Sequence, residues 1–323
     1  MTLARYLARR VALAAFSVYG VVSLTFGLVV FTPNTALGGR LGYAQYWERA
    51  SPEQLARLER TFVQARGLDE PLVERYVDWL VNVGTLQWGF SFAYEEPVWD
   101  VLAARVPTTL GYVLPGIALA VVAGVGLGVA AALARSNGFD WAVRVGSYVL
   151  LGVPGFVFVV LVAYTTGGEW QEVSSVFIHR YWVDTHIDRH LVAAGTVAVS
   201  LLAAQVRFAR VASLEQAGRD FVTLLRAKGA GPLRVARHVL RNASLPIVTL
   251  SATELLGVLL LNIYVIEDIL RIDGLAGASL LAVRRRDMPL IIGTTMVLVL
   301  VGVVGSLLQD ACYGYLDPRV GTE

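Results

Sequence analysis

The chain has 323 residues, of which 56% are hydrophobic and only 16% charged, and its formal net charge is +2. This composition excludes an ordinary soluble protein, and the single cysteine, Cys312, excludes an intrachain disulfide and a cysteine metal cluster. Apolar runs of roughly 20 residues recur along the sequence, about the length that crosses a bilayer as a helix. The sequence therefore predicts a polytopic, all-α integral membrane protein.

Six apolar segments are predicted to be transmembrane helices. They cover about residues 11–31, 109–134, 145–164, 191–208, 245–266 and 290–308. Arg5, Arg9 and Arg10 precede the first segment and place the N-terminus in the cytoplasm by the positive-inside rule, so six helices return the C-terminus there. Three arginines at residues 284–286 oppose this rule in the last outer loop. The stronger basic run that follows the fourth helix decides the topology.

Two polar regions are predicted outside the membrane. Residues 34–107 contain a helix over residues 52–66 and many aromatic side chains, which fit either a small extracytoplasmic subdomain or a surface for a partner. Residues 165–190 form a polar loop that follows the third helix. Within that helix, Pro154 predicts a kink. Imidazole and carboxylate groups in this loop would suit zinc or nickel, but we favour a polar loop that caps the fourth helix and assign no metal site. These groups belong to His179, Asp184, His186, Asp188 and His190.

The chain carries one long, basic and amphipathic stretch, residues 215–246, which overlaps a basic segment that we place in the cytoplasm at residues 207–244. Eight basic residues lie between Arg207 and Arg241, and apolar residues recur at helical spacing. Gly229 and the pair Gly231-Pro232 divide the stretch, because glycine suits a helix C-terminus and proline the first turn of the next helix. We predict two helices joined by a tight turn that contacts something outside this chain. A basic helix resting on anionic lipid headgroups is the alternative interpretation.

The sequence offers no catalytic constellation. A phosphate-binding P-loop needs Gly-Lys followed by Ser or Thr, but the only lysine, Lys228, follows Ala227. The serine turn G-x-S-x-G and the metalloprotease pattern H-E-x-x-H are both absent from the sequence. We therefore expect a protein that is not an enzyme and binds no cofactor.

Two polar residues within the fifth helix are candidates for a solute pathway. Placing the charged side chain of Glu254 within the bilayer costs free energy, so our default hypothesis is that Glu254 has a function. The uncharged polar side chain of Asn262 costs less, so the same argument applies to it more weakly. Glu254 could equally bond a neighbouring helix or partner subunit. If it carried protons, the chain would be an ion-coupled secondary transporter that needs no ATPase. A membrane scaffold whose basic segment recruits a soluble partner is the third hypothesis.

The basic stretch resembles the coupling motif of permeases from binding-protein-dependent ABC importers, in the dipeptide, oligopeptide and nickel family. Weaker matches extend over nearly the whole chain, including Pro107-Thr108-Thr109-Leu110 and Arg286-Asp287-Met288-Pro289, and are closer to the first of the two permeases in such systems. The chain departs from the family pattern at Leu225, before the Arg226 run, and in the missing proline of the fourth helix. The motif itself consists of Asp220-Phe221-Val222, Arg226-Ala227-Lys228-Gly229, His238, Arg241-Asn242-Ala243 and Pro246.

The resemblance implies a type-1 ABC importer permease fold and a division of labour. Residues 1–107 would hold the first helix and the outer region, residues 108–310 the transmembrane domain, and residues 311–323 a cytoplasmic tail. The implied partners are a second homologous permease, two cytoplasmic ATPases that bind ATP and magnesium, an extracytoplasmic solute-binding protein and the lipid bilayer, with no nucleic acid. Residues 219–232 would couple to the ATPases, and the solute is not fixed by the sequence. The implied contacts are Asp220, Phe221, Leu224, Leu225, Arg226, Lys228 and Gly229, with Gly231, Pro232, His238, Arg241, Asn242 and Pro246 shaping the segment.

Overall fold

The computed structural model describes residues 3–31, 35–64, 68–165, 170–175, 178–183 and 188–316. The described chain is mainly helical, with two short antiparallel strand pairs. The helices are α1 Leu3–Phe31, α2 Thr35–Tyr46, α3 Pro52–Gln64, α4 Leu72–Gly84, α5 Val98–Leu133, α6 Gly138–Gly152, α7 Gly155–Thr165, α8 Arg189–Ala217, α9 Asp220–Ala227, α10 Pro232–Leu270, α11 Leu275–Arg285 and α12 Met288–Leu316. The strands are β1 Phe90–Ser91, β2 Glu96–Pro97, β3 Trp170–Ser175 and β4 Ile178–Val183.

Four helices of the described chain are long and apolar enough to cross a bilayer. They are Ala8–Leu28 within α1, all of α5, all of α8, and Met288–Cys312 within α12. Each overlaps one of the predicted transmembrane segments over most of its length, which confirms an integral membrane protein with several crossings. The helix α10 contains the predicted fifth segment, but the side chains of residues 252–261 lie outside the described residues.

The predicted third transmembrane helix is two helices in the structure, so the expectation of a single kinked helix is wrong. Helix α6 ends at Gly152 and α7 begins at Gly155, with Val153 and Pro154 between them. Proline lacks an N–H and disfavours the helical conformation of the residue before it. These two effects end α6 before Pro154. The carbonyl of Pro154 accepts a hydrogen bond from the Val157 N–H at 2.9 Å, and this bond starts α7.

The predicted polar loop at residues 165–190 contains the antiparallel pair β3–β4 rather than irregular chain alone. Trp170 lies opposite Val183, and Ser174 lies opposite His179. Strand β4 is rich in the aromatic and β-branched residues that favour extended chain. Asp184 and His186, from the cluster considered above as metal ligands, lie outside the described residues.

The chain divides into two compact units. The first unit comprises residues 1–14, 103–280 and 300–323, and its centre is the packing of α8 against α5 and α10. Glycines on α5 make that packing close: a Cβ at Gly116 would lie 2.7 Å from Val197, and one at Gly128 would lie 2.6 Å from the Val206 carbonyl. Small residues let helix backbones approach in lipid, where no hydrophobic force drives them together.

The second unit comprises residues 15–102 and 281–299. Helix α4 is tied to α1 by the Trp79 indole N–H, which donates to the Val22 carbonyl at 3.1 Å. The turn between β1 and β2 is tied to residue Asp287, whose buried carboxylate accepts from the Ser91 hydroxyl at 2.7 Å and the Ala93 N–H at 2.9 Å. The aromatic-rich region predicted from the sequence is therefore a folded part of the chain.

Candidate coupling site and neighbouring polar clusters

Helix α9 ends in a tight turn that the sequence encodes locally. Gly229 has φ of +74° and follows the last turn of α9, and such a left-handed residue favours glycine. The Gly229 N–H donates to the Arg226 carbonyl at 2.9 Å, and the Ala230 N–H donates to the Leu225 carbonyl at 3.0 Å. This pair of bonds is a Schellman motif. Pro232 then begins α10, so the predicted helix–turn–helix is present in the structure.

One face of α9 packs against the start of α10. Val222 is 1% exposed and forms a cluster with Val235 and Val239 of α10. Phe221 and Leu225 are half-buried against this same cluster. Two of the three predicted apolar contact residues therefore also anchor α9 within the chain, a role that the sequence analysis did not assign to them.

The opposite face of α9 is open. Leu224 is 56% exposed, and Asp220, Thr223 and Ala227 are exposed with it. Their spacing of three, four and seven residues puts all four on one helix face. Thr223 is not among the residues predicted from the sequence, although its helical spacing from Asp220 and Ala227 is a signal for this face.

The remaining predicted residues of the segment surround this turn. Arg226 and Lys228 are exposed at the end of α9, and on α10 the Asn242 side chain donates to the His238 carbonyl at 2.8 Å. Arg241 is exposed, and Pro246 lies inside α10. Positive charge therefore borders the open face of α9 at its C-terminal end. A cation at this position also interacts favourably with the negative end of the helix dipole.

A buried ion pair fastens α8 to α6 two turns before α8 ends. The Arg210 guanidinium donates two hydrogen bonds to the Asp140 carboxylate, at 2.6 and 3.0 Å, and the Asp140 side chain is 2% exposed. The hydrogen bond from Arg210 lowers the pKa of the Asp140 carboxyl below its ordinary value. Asp140 is the only acid in the basic link 135–144, a signal that the sequence analysis did not use.

A second buried polar contact joins α8 to α10 deeper in the first unit. The Ser251 hydroxyl donates to the Gln205 side-chain carbonyl at 2.5 Å, and both side chains are buried. Gln205 also lies directly against α5, because a Cβ at Gly124 would overlap its side chain. The hydrogen bond therefore lies where α5, α8 and α10 meet.

Glu267 is a buried carboxylate that accepts hydrogen bonds from three residues of the first unit. It is 2% exposed and accepts from the Thr109 hydroxyl at 2.6 Å, the Tyr112 hydroxyl at 3.0 Å and the Gly277 N–H at 2.8 Å. The Thr109 hydroxyl oxygen in turn accepts from the Leu275 N–H at 2.9 Å. Glu267 is not among the site residues predicted from the sequence, and it holds α5, α10 and the start of α11 together.

The two candidate pathway residues are described unequally. Asn262 is half-buried, and a Cβ at Gly155 would lie 2.9 Å from its side-chain oxygen, so α7 and α10 approach closely there. The side chain of Glu254 lies outside the described residues. Within the described chain no group of three or more His, Cys, Asp or Glu residues is arranged to hold a metal ion.

Comparison with known proteins identifies the class of protein to which this chain belongs. Residues 124–322 match a family described as binding-protein-dependent transport system inner membrane component. An apolar helical chain with this match is an integral membrane subunit of a transport system. The chain belongs to the family of binding-protein-dependent transport system inner membrane components.

Relatives resemble the chain over nearly its full length. A dipeptide transport system permease protein DppB of Bacillus subtilis is 27% identical over 98% of both chains. A di/tripeptide permease DppB of Pseudomonas aeruginosa is 29% identical over 98% of both chains. A putative peptide transport system permease of Brucella suis is 30% identical over 93% of this chain and 95% of its own. The chain is thus a membrane transport subunit rather than a catalytic one, and nothing in these comparisons supports an ion-coupled transporter.

Proposed function

We propose that the chain is one of two permease subunits of an ATP-driven importer of dipeptides or oligopeptides. The names of the relatives support this substrate class, since they are described as dipeptide, di/tripeptide and oligopeptide permeases. The partners would be a second homologous permease, two cytoplasmic ATPases and an extracytoplasmic solute-binding protein. ATP and magnesium would bind to the ATPases, because this chain carries no P-loop.

The proposed topology has six transmembrane helices with both termini in the cytoplasm. Residues 34–107 would then lie outside and α9 inside. The basic residues before α1 and the eight between Arg207 and Arg241 support this orientation. Glu254 and Asn262 would lie along the translocation pathway within the membrane.

The open face of α9 is the proposed docking surface for an ATPase. The observation that carries this proposal is the exposure of Leu224, at 56%, on a helix whose other face is fixed by Val222. An apolar side chain presented beside Arg226 and Lys228 suits a partner groove with an apolar floor and acidic edges. Phe221 and Leu225 would contribute their exposed edges to the same contact.

A push on α9 would reach the membrane helices through rigid connections. Val222 joins α9 to Val235 and Val239, which belong to the first turns of α10. The ion pair between Arg210 and Asp140 joins the last turns of α8 to α6. Helices held at both ends of α9 would therefore move as bodies rather than bend locally. Alternating access follows if ATP and solute favour different packings of these helices.

Replacing Leu224 with Asp tests this docking surface. Lost apolar burial and an uncompensated charge in the contact should together cost at least about 2 kcal/mol, roughly a 30-fold loss of ATPase affinity. The readouts are ATPase co-purification and peptide uptake by vesicles that contain all subunits. Leu72→Asp is the matched control, because Leu72 is 53% exposed on α4, far from α9 in sequence.

The outcomes separate the docking surface from the broader function. Leu224→Asp should lose ATPase and uptake while Leu72→Asp keeps both. Normal ATPase retention in Leu224→Asp would place the docking surface elsewhere. Uptake by vesicles that contain this chain alone would overturn the ATP-driven importer itself.

A further inference from the structure

An apolar groove opens between the second half of α5 and the first turns of α10, within the first unit. Its volume is about 1390 Å³. Val125 and Val129 of α5 line one side, and Leu233 and Leu240 of α10 line the other. Among the described residues that line the groove, Arg234 and Arg237 alone carry charge. The groove therefore joins a long apolar surface to a cationic end.

The length of the groove corresponds to one leaflet of a bilayer. Its lining on α5 runs from Val121 to Leu133, a rise of about 18 Å along a helix. Half of a typical hydrocarbon core is about 15 Å thick. A lipid chain lying along this part of α5 would therefore end close to the level of the arginines on α10.

The charge at the groove is not balanced by acids on its own walls. Arg234 and Arg237 are three residues apart, so both lie on one face of α10, and both are exposed. The sequence contains no Asp or Glu in residues 121–134 or in residues 232–253. An occupant that brings a negative group to this end would be favoured by both arginines.

The groove walls are open to an occupant. Leu233 is 83% exposed and Val122 is 74% exposed. A Cβ placed on Gly126, midway along the groove, would meet no other atom within 4 Å. Space and exposed apolar area therefore coincide at the same place.

We propose that this groove binds an anionic phospholipid, with its acyl chains along α5 and its phosphate at Arg234 and Arg237. An uncharged transmembrane helix would cover the apolar walls but leave two arginines at its edge without a counter-charge. A single anionic phospholipid would cover the apolar walls with its acyl chains and place its negative headgroup at the arginines, since basic sites between helices bind anionic headgroups. The assignment to the cytoplasmic leaflet rests on the proposed topology, whereas the binding itself does not.

The position of the site links lipid binding to α9. Val235 and Val239 pack against Val222, while Arg234 and Arg237 line the groove from the same two turns of α10. A lipid on one side would restrain the turns that hold α9 on the other. If the bound lipid changes the affinity of α9 for another ligand, linkage requires that this ligand changes the affinity of the groove for the lipid by the same factor.

The test uses the full chain, with the subunits that co-purify, in nanodiscs of mixed phosphatidylglycerol and phosphatidylcholine. Native mass spectrometry after detergent release measures the affinity for retained phosphatidylglycerol. Each arginine near the surface should contribute about 5-fold, so the double variant Arg234→Gln/Arg237→Gln should weaken retention about 30-fold. Arg9→Gln is the control, because Arg9 is an exposed arginine outside the groove.

Filling the groove tests the apolar part separately. Gly126→Leu should exclude the acyl chains without loss of fold, because leucine favours a helix more than glycine does. Gly111→Leu is the matched control on α5, since a Cβ there also meets no atom within 4 Å and Gly111 does not line the groove. The proposal expects loss of retained phosphatidylglycerol in Gly126→Leu and retention in Gly111→Leu.

Three results would overturn the proposal. The first is unchanged retention in both groove variants, and the second is an equal loss in Arg9→Gln, which would indicate general electrostatic attraction. The third is capture of a protein chain instead of phosphatidylglycerol by a photoreactive residue at position 233. None of these results depends on ATPase docking or on peptide uptake, so the proposed function can stand or fall separately.

Discussion

Breaking the buried pair between Asp140 and Arg210 should cost far more stability than breaking an exposed ion pair. The Asp140 side chain is 2% exposed and that of Arg210 is 16% exposed, so removal of Asp140 leaves the Arg210 charge with little access to water. Removal of Arg210 leaves the buried Asp140 carboxylate with the more distant Arg144, at 3.8 Å, as a cationic neighbour. Breaking a buried pair in this way typically costs about 3–5 kcal/mol. We take the lower end, about 3 kcal/mol, because Arg210 retains some solvent contact. Asp140→Asn and Arg210→Gln should each lower stability by roughly this amount.

The measurement is denaturant unfolding in mixed micelles, with tryptophan fluorescence as the signal. Trp141 follows Asp140 directly and reports on this end of α6. The matched control is Glu215→Gln, which breaks the pair between Arg219 and Glu215 on the surface, where the side chains are 59% and 67% exposed. Exposed pairs contribute about 0–1 kcal/mol, so the control should differ little from the wild type.

A double variant separates the pair from its surroundings. If the two residues act mainly on each other, Asp140→Asn/Arg210→Gln should cost less than the sum of the single variants by about 0.5–3 kcal/mol. The reasoning is refuted if Asp140→Asn costs no more than Glu215→Gln, or if the single effects simply add.

The same pair predicts a pH dependence. Arg210 lowers the pKa of Asp140 in the folded protein. The ion pair therefore contributes its full stabilisation above the pKa of an unfolded aspartate, about 3.9, and this stabilisation is lost as pH falls through the lower pKa of the folded protein. The difference in stability between the wild type and Asp140→Asn should therefore be constant at neutral pH and shrink only below about pH 4.

Two further buried carboxylates should affect stability in different places. Glu267→Ala leaves the Thr109 and Tyr112 hydroxyls and the Gly277 N–H without their acceptor, at about 1–3 kcal/mol each. We expect a loss of several kcal/mol in the same unfolding assay, and a loss below about 1 kcal/mol would contradict the network. Asp287→Ala removes the acceptor of the Ser91 hydroxyl, so the turn between β1 and β2 should be cut faster in limited proteolysis. Equal cutting rates in the variant and the wild type would argue against this tie.

The local chemistry of the sequence determined the membrane class and the helix–turn–helix form of the basic segment. Apolar runs of sufficient length predict membrane helices because unpaired backbone groups are costly in lipid. Gly229 and Pro232 predict the turn because one tolerates positive φ and the other suits a first helical turn. The predicted helix that precedes this turn is present as α9, residues Asp220–Ala227. These features depend on neighbours within a few residues, so one sequence is enough to read them.

Tertiary packing decided what each side chain does. Leu224 and Leu225 are equivalent by hydrophobicity, but only the packing of Val222 on α10 makes Leu224 the exposed one of the two. Glu267 meets Thr109 across 158 residues of sequence, and Arg210 meets Asp140 across 70. Such pairs depend on how distant helices align, because a carboxylate is buried only where its donors converge. The sequence therefore predicted the helices and the turn, whereas their three-dimensional arrangement decided which residues anchor the chain and which remain free to bind a partner.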